Sequence, residues 1–214
     1  MAINIVLADD HNIIREGLAA LLSNHPDMEV VAQANNGRDA VKHALKLNPD
    51  IVVMDISMPD LNGIEATRMI KGENPKIKVI ALSVHTGRRF ITGMLKAGVS
   101  GYMLKHCAID ELLKAITLVH ANKSYLSPEI AGTVMTDYAN NFVTEEEPTP
   151  LSLREREVLQ LVAEGMTSDQ IAGQLNVTTK TVSAHRQQVM KKLNLGSIAE
   201  LTKYAIREGM VTLD

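Results

Sequence analysis

The hydrophobic positions in the first half of the chain fall into two alternating kinds of segment. Strand-like segments lie near residues 3–8, 28–34, 50–55, 77–82 and 100–104, and the apolar run that ends at Asp55 is typical of a strand buried on both faces. Between them, apolar residues recur at helical spacing, as at Leu18, Leu21 and Leu22. Strands that alternate with helices predict a parallel sheet with right-handed crossovers. Five such units predict an α/β flavodoxin-like (βα)5 fold with strand order 2-1-3-4-5.

The last part of the chain, from residue 149, is helical throughout. Capping residues predict four helix starts, at Ser152, at Thr167 or Ser168, at Thr178 or Thr179, and at Ser197. Residues 176–178 leave only a short turn between the second and third helices. Because helix, short turn and helix are typical of a helix-turn-helix, we predict a small all-α four-helix domain over residues 149–214.

Residues 124–148 fit neither pattern. A short helix is predicted from Ser127-Pro128-Glu129 to about Tyr138, and an acidic run at 145–147 and two prolines follow. The formal charge is +1 over residues 1–124, −5 over 125–148 and +1 over 149–214. Because acidic stretches are usually solvated, we predict a linker over residues 124–148. It would join a first domain over residues 1–123 to the helical domain.

The amino-acid composition bears on the number of cores and on the cellular compartment. The chain has 214 residues, of which 45% are hydrophobic, and that is enough for two small cores. A single cysteine, Cys107, excludes an intramolecular disulfide. The acidic pair Asp9-Asp10 interrupts the only early apolar run, so we expect neither a signal peptide nor a membrane span. We therefore predict a cytoplasmic protein that makes no contact with a membrane.

Charged side chains stand where the predicted strands end. Asp9 and Asp10 follow the first strand, Asp55 ends the third, and Lys105 follows the fifth. The carboxyl ends of parallel strands share one edge of the sheet, where such folds bind ligands. Three carboxylates and one amine at that edge suggest a divalent metal ion and a phosphoryl group.

The residue types match that chemistry. Carboxylates suit Mg²⁺, with Asp9 acting directly or through water and the backbone carbonyl of Ser57 as a further ligand. A carboxylate can accept a phosphoryl group as an acyl phosphate, and its charge would be neutralised by Mg²⁺ and Lys105. Ser83, at the end of the fourth strand, is placed to hydrogen-bond the same phosphoryl oxygens.

These residues also form a family pattern. The Asp-Asp pair, Asp-Ile-Ser-Met-Pro-Asp-Leu-Asn-Gly at 55–63 and Gly-Tyr-Met-Leu-Lys at 101–105 resemble a bacterial response-regulator receiver domain, over residues 1–123. The resemblance implies a phosphoacceptor at Asp55, Mg²⁺ ligands at Asp9 and Asp10, a phosphate-neutralising Lys105, and a switch pair made of Ser83 and Tyr102.

Neighbouring residues depart from that pattern or extend it. Val84 stands where a small residue is usual, and it is bulky enough to crowd the phosphate approach. His106-Cys107 follows the lysine where proline or a polar residue is usual. His85 is expected near the opening of the phosphorylation site. There it either affects water access and the lifetime of the acyl phosphate or is an exposed loop histidine.

The segment from Leu151 to Leu193 resembles the LuxR-type DNA-binding domain, in a match covering about 149–212. It departs at Asp169-Gln170, where Lys-Glu is usual. In the third helix, Val182 and Val189 are spaced to face the core. The predicted DNA-binding residues are Lys180, Thr181, Ser183, Ala184, His185, Arg186, Gln187, Lys191 and Lys192. Gln and Arg can read base edges, and Lys suits phosphates.

Together the two resemblances predict a two-component response regulator of the NarL/FixJ type. A sensor histidine kinase would phosphorylate Asp55, and the C-terminal domain would then bind double-stranded promoter DNA as a homodimer. RNA polymerase is a further candidate partner. By this interpretation the protein is no turnover enzyme and catalyses only its own phosphoryl transfer and autodephosphorylation.

Two rival interpretations remain open. The first is a phosphatase-class enzyme built on a similar acidic sheet edge. It would need a general acid two residues after the nucleophile, where Ser57 stands. The second is a constitutive DNA-binding protein with a vestigial receiver, which the complete acidic pocket and Lys105 oppose.

Overall fold

The computed structural model describes residues 2–106, 109–141 and 151–211. The chain divides into two compact units, Met1–Val143 and Thr144–Asp214, each of which has its own hydrophobic core. None of the helices in the described ranges combines the length and hydropathy that a membrane span requires.

The first unit is built on a parallel sheet. Its first five strands are β1 Ile3–Ala8, β2 Met28–Ala34, β3 Ile51–Met54, β4 Lys78–Ser83 and β5 Gly101–Leu104. They lie in the order β2-β1-β3-β4-β5, and every neighbouring pair is parallel. The predicted flavodoxin-like topology is therefore confirmed.

Five helices cover the two faces of the sheet. They are α1 Asn12–Ser23, α2 Gly37–Leu47, α3 Gly63–Glu73, α4 Arg88–Lys96 and α5 Ile109–His120. Helices α2, α3 and α4 pack on one face together with Val52 and Met54, whereas α1 and α5 pack on the other with Ile51 and Val53. Strand β3 is thus buried on both sides, which explains its unbroken apolar sequence.

A sixth strand and a further helix extend this unit beyond residue 123. Strand β6, Tyr125–Leu126, pairs in parallel with β5, and α6, Pro128–Asn141, follows it. Ile130 on α6 is fully buried in the core that α4 also lines. The sequence predicts a linker from residue 124, whereas the pairing of Tyr125–Leu126 with β5 and the burial of Ile130 attach these residues to the first unit. The acidic run at 145–147 lies outside the described residues.

The described part of the second unit contains four helices, as predicted: α7 Leu153–Ala163, α8 Ser168–Leu175, α9 Thr179–Leu193 and α10 Ile198–Arg207. Ser152 and Glu155 form a capping box at the start of α7, and Thr167 and Gln170 form another at α8. Gln170, where the sequence departs from the usual LuxR-type pattern, therefore serves to start α8.

Candidate functional site

Three charged side chains meet at the carboxyl-terminal edge of the sheet. Strands β1 and β3 are neighbours, so Asp9 and Asp55, which follow them, lie side by side, and each is 3% exposed. Lys105 follows β5, and its Nζ lies 2.8 Å from Asp9 Oδ2 and 2.8 Å from Asp55 Oδ2. The structure thus brings together these three predicted residues, which are far apart in the sequence, in one buried ion-pair cluster.

Burial is the largest single influence on the pKa of Asp55 and on that of Lys105. It raises the pKa of Asp55 to about 6, although attraction to Lys105 lowers that pKa and repulsion from Asp9 raises it. Burial lowers the pKa of Lys105, but the two carboxylates outweigh that effect and leave it above its usual value. The backbone N–H of Ile56 also donates to Asp55 Oδ1 at 2.7 Å. A fixed cation therefore stands beside the carboxylate, where phosphoryl charge would develop.

The backbone after Asp55 is positioned by a contact that requires glycine. A Cβ on Gly63, the first residue of α3, would lie 1.9 Å from the carbonyl oxygen of Asp55. The N–H of Gly63 donates to the carbonyl of Ile56 at 2.8 Å, and Asn62 caps α3 by accepting from the N–H of Glu65 at 3.0 Å. The last residue of the 55–63 motif therefore sets the approach of α3 to Asp55.

The same edge can hold a metal ion. Asp9, Asp10, His11 and Asp55 each offer one ligand atom, and these atoms all lie within 4.8 Å of one another. Carboxylate oxygens are the ligands that Mg²⁺ prefers, so the three aspartates fit that ion, and Ser57 lies in the loop that follows Asp55. The sequence prediction omitted His11, although it directly follows the acidic pair.

His11 contacts both members of that pair. Its Nδ1 lies 2.9 Å from Asp10 Oδ1 and 3.2 Å from Asp9 Oδ1, and its backbone N–H donates to Asp9 Oδ1 at 2.9 Å. An imidazole nitrogen is a softer ligand than Mg²⁺ favours. The geometry therefore suits His11 to orient the carboxylates around a magnesium ion.

The predicted switch pair, Ser83 and Tyr102, meets at the backbone of His85. Both side chains are fully buried. Ser83 Oγ accepts from the N–H of His85 at 3.0 Å, and the Tyr102 hydroxyl donates to the carbonyl of His85 at 2.9 Å. Burial raises the pKa of Tyr102 to about 12, so its hydroxyl remains a donor. Any backbone movement at residue 85 changes hydrogen bonds of both switch residues.

The His85 side chain connects this backbone to the loop after Asp55. Its Nε2 lies 2.8 Å from Ser57 Oγ, and its ring stacks on Phe90 of α4 with centroids 4.1 Å apart. Burial lowers the pKa of His85, and the nearby cations Arg89 and Lys105 lower it further. His85 is therefore held in place, unlike a solvated loop histidine, whereas its neighbour Val84 is 64% exposed.

The predicted helix-turn-helix is present in the second unit. Asn176, the residue after α8, has a left-handed φ of 52°, and Thr178 caps α9 by accepting from the N–H of Thr181 at 3.2 Å. Val182 and Val189 on α9 are buried in the core formed with the other helices. Met190 and Leu193 also pack against this core, and the exposed residues of α9 are left for contacts outside the domain.

One exposed stripe runs along α9. Lys180, Ala184, Gln187 and Lys191 are exposed and recur at steps of three and four residues, so they share one face. The other predicted contact residues, Thr181, Ser183, His185 and Arg186, are half-buried beside this stripe. Exposed Gln188 was not predicted, although its spacing from residues 184 and 191 places it on the same side.

Lys192, the remaining predicted DNA contact, has a partner inside the domain. Its Nζ lies 2.7 Å from Oε2 of Glu155, the buried carboxylate of the α7 capping box. Burial raises the pKa of Glu155, but hydrogen bonds from Lys192 and Ser152 outweigh it and leave the pKa below its usual value. Lys192 thus joins the C-terminal end of α9 to the start of α7.

Comparison with known families accounts for both units. Residues 5–117 match the response regulator receiver domain, and residues 149–205 match the bacterial regulatory proteins of the luxR family. The transcriptional regulatory protein DegU of Brevibacillus brevis is 35% identical over 225 residues, covering 98% of this chain and 95% of DegU. The response regulator UvrY of Escherichia coli is 36% identical over 208 residues, covering 97% of this chain and 95% of UvrY.

Solved structures agree. A LuxR-family two-component response regulator from Aurantimonas has a TM-score of 0.62 and 35% identity, and covers 65% of this chain and 99% of its own. RcsB from Salmonella enterica serovar Typhimurium, bound to a promoter in the presence of the phosphomimetic BeF3−, has a TM-score of 0.61 and 26% identity. That match covers 95% of this chain and 98% of RcsB.

A flavodoxin-like sheet that carries buried carboxylates beside a lysine, joined in one chain to a LuxR-type helix-turn-helix, defines a class of transcription regulators. The chain belongs to the response-regulator family, with a receiver domain followed by a LuxR-type DNA-binding domain. DegU and UvrY place it among the NarL/FixJ-type members of that family.

Proposed function

We propose that the protein regulates transcription in response to phosphorylation of Asp55 by a sensor histidine kinase. The position of Lys105 carries the proposal, since its Nζ lies 2.8 Å from a carboxylate oxygen of both Asp9 and Asp55. An oxygen of Asp55 attacks phosphorus as the bond from phosphorus to the donor nitrogen breaks, and an acyl phosphate forms. Lys105 stabilises the charge on the phosphoryl oxygens.

Magnesium belongs to the same proposal. Asp9, Asp10 and Asp55 would hold Mg²⁺, with Asp9 acting directly or through water and the backbone carbonyl of Ser57 adding an oxygen. When bound, the ion neutralises negative charge on the phosphoryl group. His11 keeps the first two carboxylates oriented through its contacts with both.

Phosphorylation then acts through Ser83 and Tyr102. In this proposal the Ser83 hydroxyl hydrogen-bonds a phosphoryl oxygen, and such a bond pulls on the loop whose backbone also holds the Tyr102 hydroxyl. The added group favours one of two pre-existing arrangements of the receiver surface, because it interacts better with that arrangement. The proposed consequence is a shift toward the form that pairs with a second copy.

The proposed output is binding of promoter DNA by a homodimer in the cytoplasm. Gln187 on the exposed stripe of α9 is suited to read a base edge, whereas Lys180 and Lys191 contact phosphates. The formal charge of only +1 over residues 149–214 supports a dimer on two half-sites, since one copy has little electrostatic affinity. Lys192 is assigned to domain stability because Glu155 already engages it.

The direct test is labelling of the full chain with acetyl phosphate and Mg²⁺, followed by mass spectrometry and DNA-binding titration. Wild type should gain one phosphoryl group and bind promoter DNA more tightly, and Asp55→Asn should do neither. Asp60→Asn, in the same loop, is the matched control and should behave as wild type. Labelling of Asp55→Asn, or equal DNA affinity of phosphorylated and unphosphorylated wild type, would contradict the proposal.

A further inference from the structure

The sheet edge opposite the acidic cluster carries a pocket of opposite charge. A cavity of about 320 Å³ lies between the end of α3, the start of β4 and the segment that joins α5 to β6. Four of its lining residues are lysines, Lys71, Lys76, Lys78 and Lys123, and we call it the lysine pocket. The described residues that line it include no carboxylate.

Two of the lysines are fixed by backbone carbonyls. Lys71 Nζ donates to the carbonyl oxygens of Pro75 at 2.6 Å and Ile77 at 3.0 Å, and Lys78 Nζ donates to that of His120 at 2.6 Å. An ammonium group has three N–H donors, so each of the two keeps at least one for a ligand. Two of the four ammonium groups are therefore held in position before a ligand binds.

These lysines form no close ion pair among the described residues. Across the described ranges, none of the four has a carboxylate within 4.0 Å. Asp50, at the same sheet edge, instead accepts from the N–H of Asn4 at 2.8 Å and lies 3.9 Å from His120 Nε2. Burial lowers the pKa of Lys71, and repulsion from Lys78 lowers it further. Bringing the cations together is unfavourable, and a bound anion would relieve that repulsion.

We propose that the lysine pocket binds a compact oligophosphate, either free or as the phosphate chain of a nucleotide. Pockets that bind small ligands have volumes from about 300 Å³ upwards, and the lysine pocket lies near that lower limit. A pocket of this size suits a compact chain of phosphates. Ser100 and Ser124 also line it and offer neutral hydroxyl donors beside the lysines. Duplex DNA is a less suitable occupant, because phosphates on the wide double helix would not enter the lysine pocket.

The test is calorimetric titration of the full chain with pyrophosphate, and separately with ATP, at low salt and without Mg²⁺. Lys76 and Lys123 are exposed, so the variant Lys76→Glu/Lys123→Glu leaves the fixed lysines and the fold in place. The matched control is Lys42→Glu/Lys46→Glu, which reverses two exposed charges on α2. Wild type should bind saturably, the pocket variant about tenfold or more weakly, and the control as wild type.

The pyrophosphate, ATP and DNA titrations each test a separate part of the proposal. Equal affinities for pyrophosphate and ATP would show that the phosphate chain alone is recognised, and tighter ATP binding would show that the nucleoside contributes. Absence of saturable binding to wild type, or an equal loss in the control, overturns the proposal. A promoter-DNA titration of the same variants is the third arm. If the pocket variant loses as much DNA affinity as pyrophosphate affinity, the pocket contacts DNA and the oligophosphate assignment fails.

Discussion

The acidic edge of the receiver and the exposed stripe of α9 are both polar, but they differ in their contact with water. Asp9 and Asp55 are 3% exposed and share one lysine, so each charge depends on its neighbours. Lys180, Gln187 and Lys191 are exposed, and water can replace any contact that a mutation removes. Buried polar groups form a unit in which one loss affects all members, whereas exposed groups contribute more separately.

The largest expected effect comes from the buried unit. Lys105→Met removes the only cation that contacts both carboxylates within the described residues. We expect the rate of labelling by acetyl phosphate to fall by about 100-fold, the usual scale for losing a preorganised charge stabiliser. Lys42→Met, a change of an exposed lysine, is the control. An unchanged labelling rate for Lys105→Met would show that the buried unit is less coupled than its geometry indicates.

An intermediate effect is expected on the exposed stripe. Gln187→Ala should reduce affinity for the preferred promoter by about tenfold and reduce discrimination between sequences, because one base contact contributes about 1–3 kcal/mol. Lys180→Ala should instead weaken binding to all sequences alike and make the salt dependence less steep. Anisotropy titrations against matched and scrambled duplexes at several salt concentrations measure both. Identical profiles for the two variants would remove the distinction between reading and positioning residues.

Lys192 belongs to neither group alone. It was predicted as an exposed DNA contact, but it forms an ion pair with the buried Glu155. Lys192→Met should destabilise the second unit by about 1 kcal/mol, since the lysine is 40% exposed and water screens part of the attraction. The folded-state pKa of Glu155 is lowered. This contribution is therefore present above the ordinary glutamate pKa of 4.5 and is lost as pH falls through the lower, folded-state pKa.

Urea unfolding at several pH values, followed by NMR signals of the second unit, measures that contribution. Wild type and Lys192→Met should differ at pH 7 and converge in acid. A constant difference across the whole pH range would exclude the pair with Glu155 as its cause. A loss of DNA affinity without a loss of stability would return Lys192 to the phosphate contacts.

The smallest effect is expected at His85. His85→Ala removes the bond to Ser57 and the stacking on Phe90 but keeps both backbone bonds to the switch pair. The lifetime of the acyl phosphate should change several-fold, because the loop beside the phosphoryl site is released. His43→Ala, on α2, is the control. An unchanged autodephosphorylation rate would limit the role of His85 to its backbone.

Much of the fold and of the acidic site could be predicted because strong patterns specify them. Short, largely apolar segments identified the strands, and Asp9, Asp55 and Lys105 converge once those strands are parallel. The pairing of Lys192 with Glu155 could not be predicted from the sequence, because the two residues are 37 positions apart. Each also fits another role, since Glu155 is in a capping box and Lys192 was predicted as a DNA contact. Strand β6 has two residues, too few for any periodicity, and only pairing with β5 forms it.

That short strand has a consequence for the edge of the sheet. Strand β6 covers the outer side of β5, and the N–H of Ser127 donates to the carbonyl of Tyr102 at 3.0 Å. A chain cut at residue 123 would leave β5 as an open edge able to pair with other molecules, and would remove Ile130 from the core. The segment that covers this edge is therefore also hydrogen-bonded to the strand that carries the proposed switch tyrosine.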